Sequence, residues 1–139
     1  MTDSPDQSTQ PAADPAADPA ALLAEVVAFA MDCARQGETD LLARYLDGGF
    51  PVDHPDDDGN TVLMLAAYHG HAGTVGLLLD RGADPDRLNA RGQSPLAGAV
   101  FKGEDDVVRR LLAGGADPDA GAPTARATAE MFGRSDLLG

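Results

Sequence analysis

Asp56, Asp58 and Asn60 place side-chain oxygens at alternate positions of one short acidic stretch. Alternation of this kind opens a calcium loop, but such a loop closes on a bidentate Glu at its twelfth position. Twelfth from Asp56 is Ala67, so the pattern fails. His54, His69 and His71 are the only histidines, and the chain lacks the His or Cys cluster that a zinc site needs. Cys33 is the single cysteine and has no His near it in sequence; it falls in an apolar helical pattern, where a buried free thiol is expected. No Ser-His-Asp grouping can be argued from the order of residues. The carboxylates are numerous and read as solvated surface rather than as an acid–base pair. The residue types therefore point away from catalysis, from a metal centre and from a cofactor.

The elements that carry these residues come in copies. Gly59, Leu63, Gly70, Leu78, Leu79, Gly82, Ala83, Asp84 and Pro85 recur as Gly92, Leu96, Gly103, Leu111, Leu112, Gly115, Ala116, Asp117 and Pro118, every pair 33 residues apart. One step back lands on Gly37, Tyr45, Leu46 and Gly49. A fixed period in the range of about 20–50 residues marks stacked supersecondary units. Within each copy, apolar residues at helical spacing predict a short helix, a turn, a second short helix and a loop. The pairs are Thr61–Tyr68 with Thr74–Asp80, and Pro95–Lys102 with Asp106–Ala113. Helices this short are unstable alone and must stack to bury both faces.

The ends are less regular. Residues 1–19 have no large apolar side chain after Met1 and carry four acids and no base, which predicts a disordered acidic Ala/Pro-rich tail. Asp18-Pro19 opens a first helix whose apolar face is expected to be Leu22, Val26, Phe29 and Cys33, joined by Leu23, Val27 and Ala30. A shorter helix over Asp40–Asp47 follows, with Leu41, Leu42, Tyr45 and Leu46 inward. The C-terminus aligns Gly133 with Gly103 at an offset of 30 and ends inside what would be a second helix. The predicted organisation is all-α: a tail over 1–19 and a domain over 20–139. That domain divides into a divergent copy 20–57, full copies 58–90 and 91–120, and a truncated cap 121–139.

The two full copies, with Ser94-Pro95-Leu96, Ala66-Ala67, Gly70-His71 and a Gly-Ala-Asp-Pro-Asp segment at the end of each, resemble the ankyrin repeat. The resemblance covers roughly residues 20–139 and implies a solenoid of helix-turn-helix units joined by hairpin-like loops. It also implies that Thr61 and Ser94 cap first helices, that His71 bonds main-chain groups, and that partners bind on the concave side. The family usually has a His two residues after the Pro; Met64 and Ala97 stand there, so its link to the Thr hydroxyl is absent.

Stacking turns equivalent positions into rows. The two residues before each inter-helix Gly form Arg35-Gln36, Tyr68-His69, Phe101-Lys102 and Met131-Phe132. By the resemblance this row lies on the concave side. The hairpin tips supply a second row, with Asp57, Asp58, Asn60, Leu88, Arg91 and Gln93, and with His54 in the first tip. Tyr68 and Phe101 are the expected anchors, because aromatics among polar neighbours mark interfaces. The alternative is that they only cover the Ala-rich helix pair beneath them.

Net charge is −13, which repels nucleic acid and anionic lipid. No signal peptide and no apolar run near 18 residues is visible, and a reducing, cytoplasmic setting is expected. The reading is a monomeric, non-catalytic scaffold that binds another protein through its concave surface and hairpin tips. Two alternatives are an accessory or maturation factor for a partner enzyme, and an acidic inhibitor that occupies a basic site. The second rests on residues 20–58, with nine acids and two bases.

Overall fold

A computed structural model describes residues 18–139. The sequence readings for residues 1–17 lie outside the described residues. Seven α-helices run in order among them: α1 Pro19–Gln36, α2 Thr39–Asp47, α3 Val62–Tyr68, α4 Ala72–Asp80, α5 Pro95–Lys102, α6 Asp105–Ala113 and α7 Ala125–Met131. A single 3₁₀ turn, Ser135–Leu138, closes the chain. No strand occurs among the described residues.

The helices form two layers. α1, α3, α5 and α7 pack in sequence, while α2, α4 and α6 pack behind them, with the 3₁₀ turn against α6 and α7. Each first helix after α1 starts at a hydroxyl cap. Thr61 accepts from Met64 N at 3.2 Å, Ser94 from Ala97 N at 3.1 Å, and Thr124 from Ala127 N at 2.9 Å. The caps form although Met64 and Ala97 occupy the place of the family's usual His, because the hydroxyl reaches the third amide of the helix unaided. α1 starts on Asp18, whose carboxylate accepts from Ala20 N at 3.0 Å.

The core is assembled from equivalent positions. Leu63 and Leu96, Val75 and Val108, Leu78 and Leu111, and Ala66, Ala99 and Ala129 have no solvent-exposed surface. The Ala positions let the first helices approach closely, and the Leu positions bind each copy to its neighbour. Leu79 and Leu112, expected in this core, are half-buried at its edge.

Polar bonds repeat with nearly the same step. Asp84 N donates to Asp53 Oδ1 at 3.0 Å, and Asp117 N to Asp86 Oδ1 at 2.7 Å. Ala90 N donates to Asp58 O and Ala122 N to Gly92 O, each at 2.9 Å, so the tips are stitched through the main chain. Thr39 and Thr74 share a hydroxyl bond of 2.6 Å, and His71 Nε2 meets Arg35 O at 2.7 Å.

The first copy departs from expectation. α1 buries Ala30, Met31, Cys33 and Ala34 and half-buries Val26 and Val27, but leaves Leu22, Leu23 and Phe29 exposed. Leu41, also expected inward, is 43% exposed. The reason is geometric. α1 has 18 residues and packs on the seven-residue α3, so Leu22 and Leu23 in its first half have no helix to lie against, while Phe29 and Leu41 face the side away from the next copy. No helix pair precedes α1 among the described residues.

Candidate partner-binding site

The last turns of α3 and α5 lie beside the two hairpin tips. Between them lies a groove of about 510 Å³ lined by Tyr68, His69, Phe101, Asn60, Arg91 and Gln93, over a floor that includes Met64, Leu65, Ala97 and Gly98. Six of the expected partner-binding residues thus converge on one concavity. Asn89, Pro123 and Thr128 also line it.

Its aromatic wall is staggered across copies. His69 meets Tyr68 edge-on at 5.6 Å between ring centroids. Lys102, from the next copy, puts Nζ 4.9 Å from the centre of the Tyr68 ring. Phe101 in turn meets Phe132 of the last copy at 5.7 Å, with the rings inclined at 64°. Tyr68 is 40% exposed and Phe101 58%, so both offer apolar surface. Tyr68 also covers Gly98, where an added Cβ would lie 3.5 Å from its ring. The ring therefore does some of the covering that the alternative reading assigns to it. Burial pushes the His69 pKa down, and His71, Lys102 and Arg35 push it the same way.

The floor of the tips is organised by two side chains in equivalent positions. Asp56 Oδ1 accepts from Asp58 N and Asn60 N, both at 2.9 Å. Asn89 Oδ1 accepts from Arg91 N and Gln93 N, both at 3.0 Å. The Asn89 amide then donates to Asn60 Oδ1 at 3.0 Å and to Gln93 Oε1 at 2.8 Å. Asn60 and Gln93 are therefore held rigidly at the rim. Asn89 is not among the expected site residues, although its place 33 residues after Asp56 marks it.

The remaining expected residues lie elsewhere. Arg35, Asp57 and Asp58 line a second groove of about 440 Å³ between α1 and the first tip, and Arg35 also pairs with Asp32 at 2.7 Å. Lys102 does not line the main groove but sits over the ring of Tyr68, which does. Gln36 is exposed at the end of α1, and Leu88 is exposed on the second tip; neither lines these grooves.

The other chemical candidates are occupied. His54 stacks on Phe50 at 6.0 Å and contacts Pro55 O through Nδ1 at 2.9 Å. Cys33 is a buried free thiol whose pKa is raised, first by burial and then by Glu38 and Asp32. Among the described residues no group of three or more His, Cys, Asp or Glu is placed to hold a metal ion, and no helix is long and apolar enough to cross a membrane. Several acids bond main-chain amides: Asp18, Asp53, Asp56, Asp84, Asp86 and Asp117. Of the nine acids over residues 20–58, Asp53 and Asp56 are the two among these.

A family model described as three copies of the ankyrin repeat matches residues 30–122, well over half of the chain. An ankyrin repeat protein of Pseudomonas aeruginosa is 44% identical over 77 residues, which is 55% of this chain. The match spans 39% of that relative's length.

Proposed function

The chain belongs to the ankyrin-repeat family, and from that premise we propose a non-catalytic scaffold that takes up a partner protein in its concave groove. Ankyrin repeats generally mediate protein–protein interaction and are typically non-catalytic, which supports the reading. The observation that carries it is the convergence of Tyr68, His69 and Phe101 with the rigid tip residues Asn60, Arg91 and Gln93 on one groove. Rigid aromatics with polar neighbours lose little freedom on binding and give up much apolar surface, as anchors do. Asn60 and Gln93 are pre-organised by Asn89, so they can present polar atoms at little ordering cost.

The test pairs affinity with stability. Tyr68→Ala and Phe101→Ala are each expected to weaken partner binding by about 2 kcal/mol or more. Phe101→Ala should hardly move the melting temperature, and Tyr68→Ala should lower it slightly because the ring covers Gly98. Unchanged affinity per folded molecule, alongside a large melting loss, would leave only the covering role.

A further inference from the structure

The end of the stack formed by α1 and α2 exposes large apolar side chains outside the concave groove. Leu22 and Phe29 are seven residues apart on one stripe of α1 and are 48% and 59% exposed. Leu41 on α2 is 43% exposed. Later copies show what the positions of Phe29 and Leu41 do when covered. Phe29 corresponds to Val62, Pro95 and, at the offset of 30, Ala125, all three of them buried. Leu41 corresponds to Thr74 and Val107, each 1% exposed. Ala125 decides the cause: its copy has nothing after it among the described residues, yet the position stays buried. Contact with a preceding helix pair is therefore what covers it. A terminal face normally turns polar where it meets water, and this one does not.

Charge narrows the occupant. Glu25 flanks the stripe on α1, and Glu38 and Asp40 begin α2, all three exposed. Arg44 is the base on the same side, and Arg35 is already paired with Asp32. A second copy fits this badly. Face to face, the acids would meet their own kind. Head to tail, the cations at the far end, Arg126 and Arg134, are bound to Asp119 and Asp105 of their own chain. We propose that this end docks an amphipathic helical segment of a partner protein, with an apolar stripe seated on Leu22, Phe29 and Leu41 and with Lys or Arg flanking it. Helical grooves of this kind are read by apolar anchors at helical spacing, and complementary charge sets orientation.

The probe is a synthetic peptide matching the 18 residues of α1 in length, with Leu at helical spacing and Lys elsewhere, titrated into the full chain. Methyl resonances of Leu22 and Leu41 should shift. Phe29→Ser with Leu22→Ser should weaken binding about tenfold or more, and so should replacing every Lys of the peptide by Glu. Phe29→Leu should restore most of the affinity. Both parent residues are exposed, so the circular-dichroism melting curves should coincide. Binding untouched by the serine variant, shifts confined to Tyr68 and Phe101, or equal affinity for the Glu peptide would each overturn the proposal. So would sedimentation as a dimer that Phe29→Ser dissociates.

Discussion

Leu78 and Leu111 sit one repeat apart with no exposed surface, each filling the joint between its own copy and the next. Leu78→Ala is expected to cost about 2–5 kcal/mol in chemical denaturation, because a rigid stack cannot close the cavity. An unchanged denaturation midpoint would place Leu78 outside the joint. Gly59 is critical for a different reason. Its φ is +78°, and an added Cβ would lie 2.6 Å from Ala90 N, the amide that bonds the first tip to the second. Gly59→Ala should therefore destabilise by about 1–3 kcal/mol, and faster exchange of the Ala90 amide would locate the damage. His69 tests the electrostatics of the groove. Its pKa is lowered by burial and then by His71, Lys102 and Arg35, so the unfolded chain takes up this proton at a higher pH than the folded chain. Its small contribution is a loss of stability as pH falls through the ordinary histidine range near about 6.5, with no effect above it. A nuclear magnetic resonance titration of His69 should have its midpoint below that of a reference peptide, and Lys102→Ala should move it upward. A midpoint at or above the reference would contradict the assignment.

Elements were legible wherever two copies could be compared. The hydroxyl caps at Thr61 and Ser94 and the buried Leu pairs follow from the period, since equal spacing in sequence becomes equal environment in a stack. α1 departs from expectation because its counterparts α3 and α5 begin at the equivalents of Phe29, so the period says nothing of its first half. Its apolar residues have helical spacing all the way from Leu22, and spacing alone cannot say where the supporting helix ends. The groove was legible in part. The rows brought Tyr68 and Phe101 together, but the Lys102 contact with Tyr68 crosses from one copy to the next, and such diagonal contacts leave no mark in a repeat. At the other end, α7 lies on α5, and the 3₁₀ turn lies on α6. Arg126 and Arg134 tie this segment to Asp119 and Asp105, and those bonds hold the Asp119 pKa down and the Arg134 pKa up. Deleting residues 124–139 should uncover the outer faces of α5 and α6 and produce a lower melting point or aggregation. Full retention of the melting point would deny the segment a capping role.

On the scale of the whole molecule, cohesion among the described residues is a chain of nearest-neighbour joints. Such a chain can melt piecewise when joints are weak relative to the copies, or as one unit when they are strong. Here the joints are strong. Apolar positions bury completely between copies, and main-chain and side-chain bonds cross each joint with a step close to the repeat length. The copies are poor alone, since α3 and α7 have seven residues each and helices of that length do not persist unsupported. The domain should therefore unfold in a single transition. Native-state hydrogen exchange can decide this, by comparing Leu42 at one end with Ala129 at the other, both fully buried. Equal opening free energies at the two sites, falling together when Leu78 becomes Ala, are expected of one cooperative unit. Separate values, with Leu78→Ala lowering only one of them, would show that the stack divides between its second and third copies.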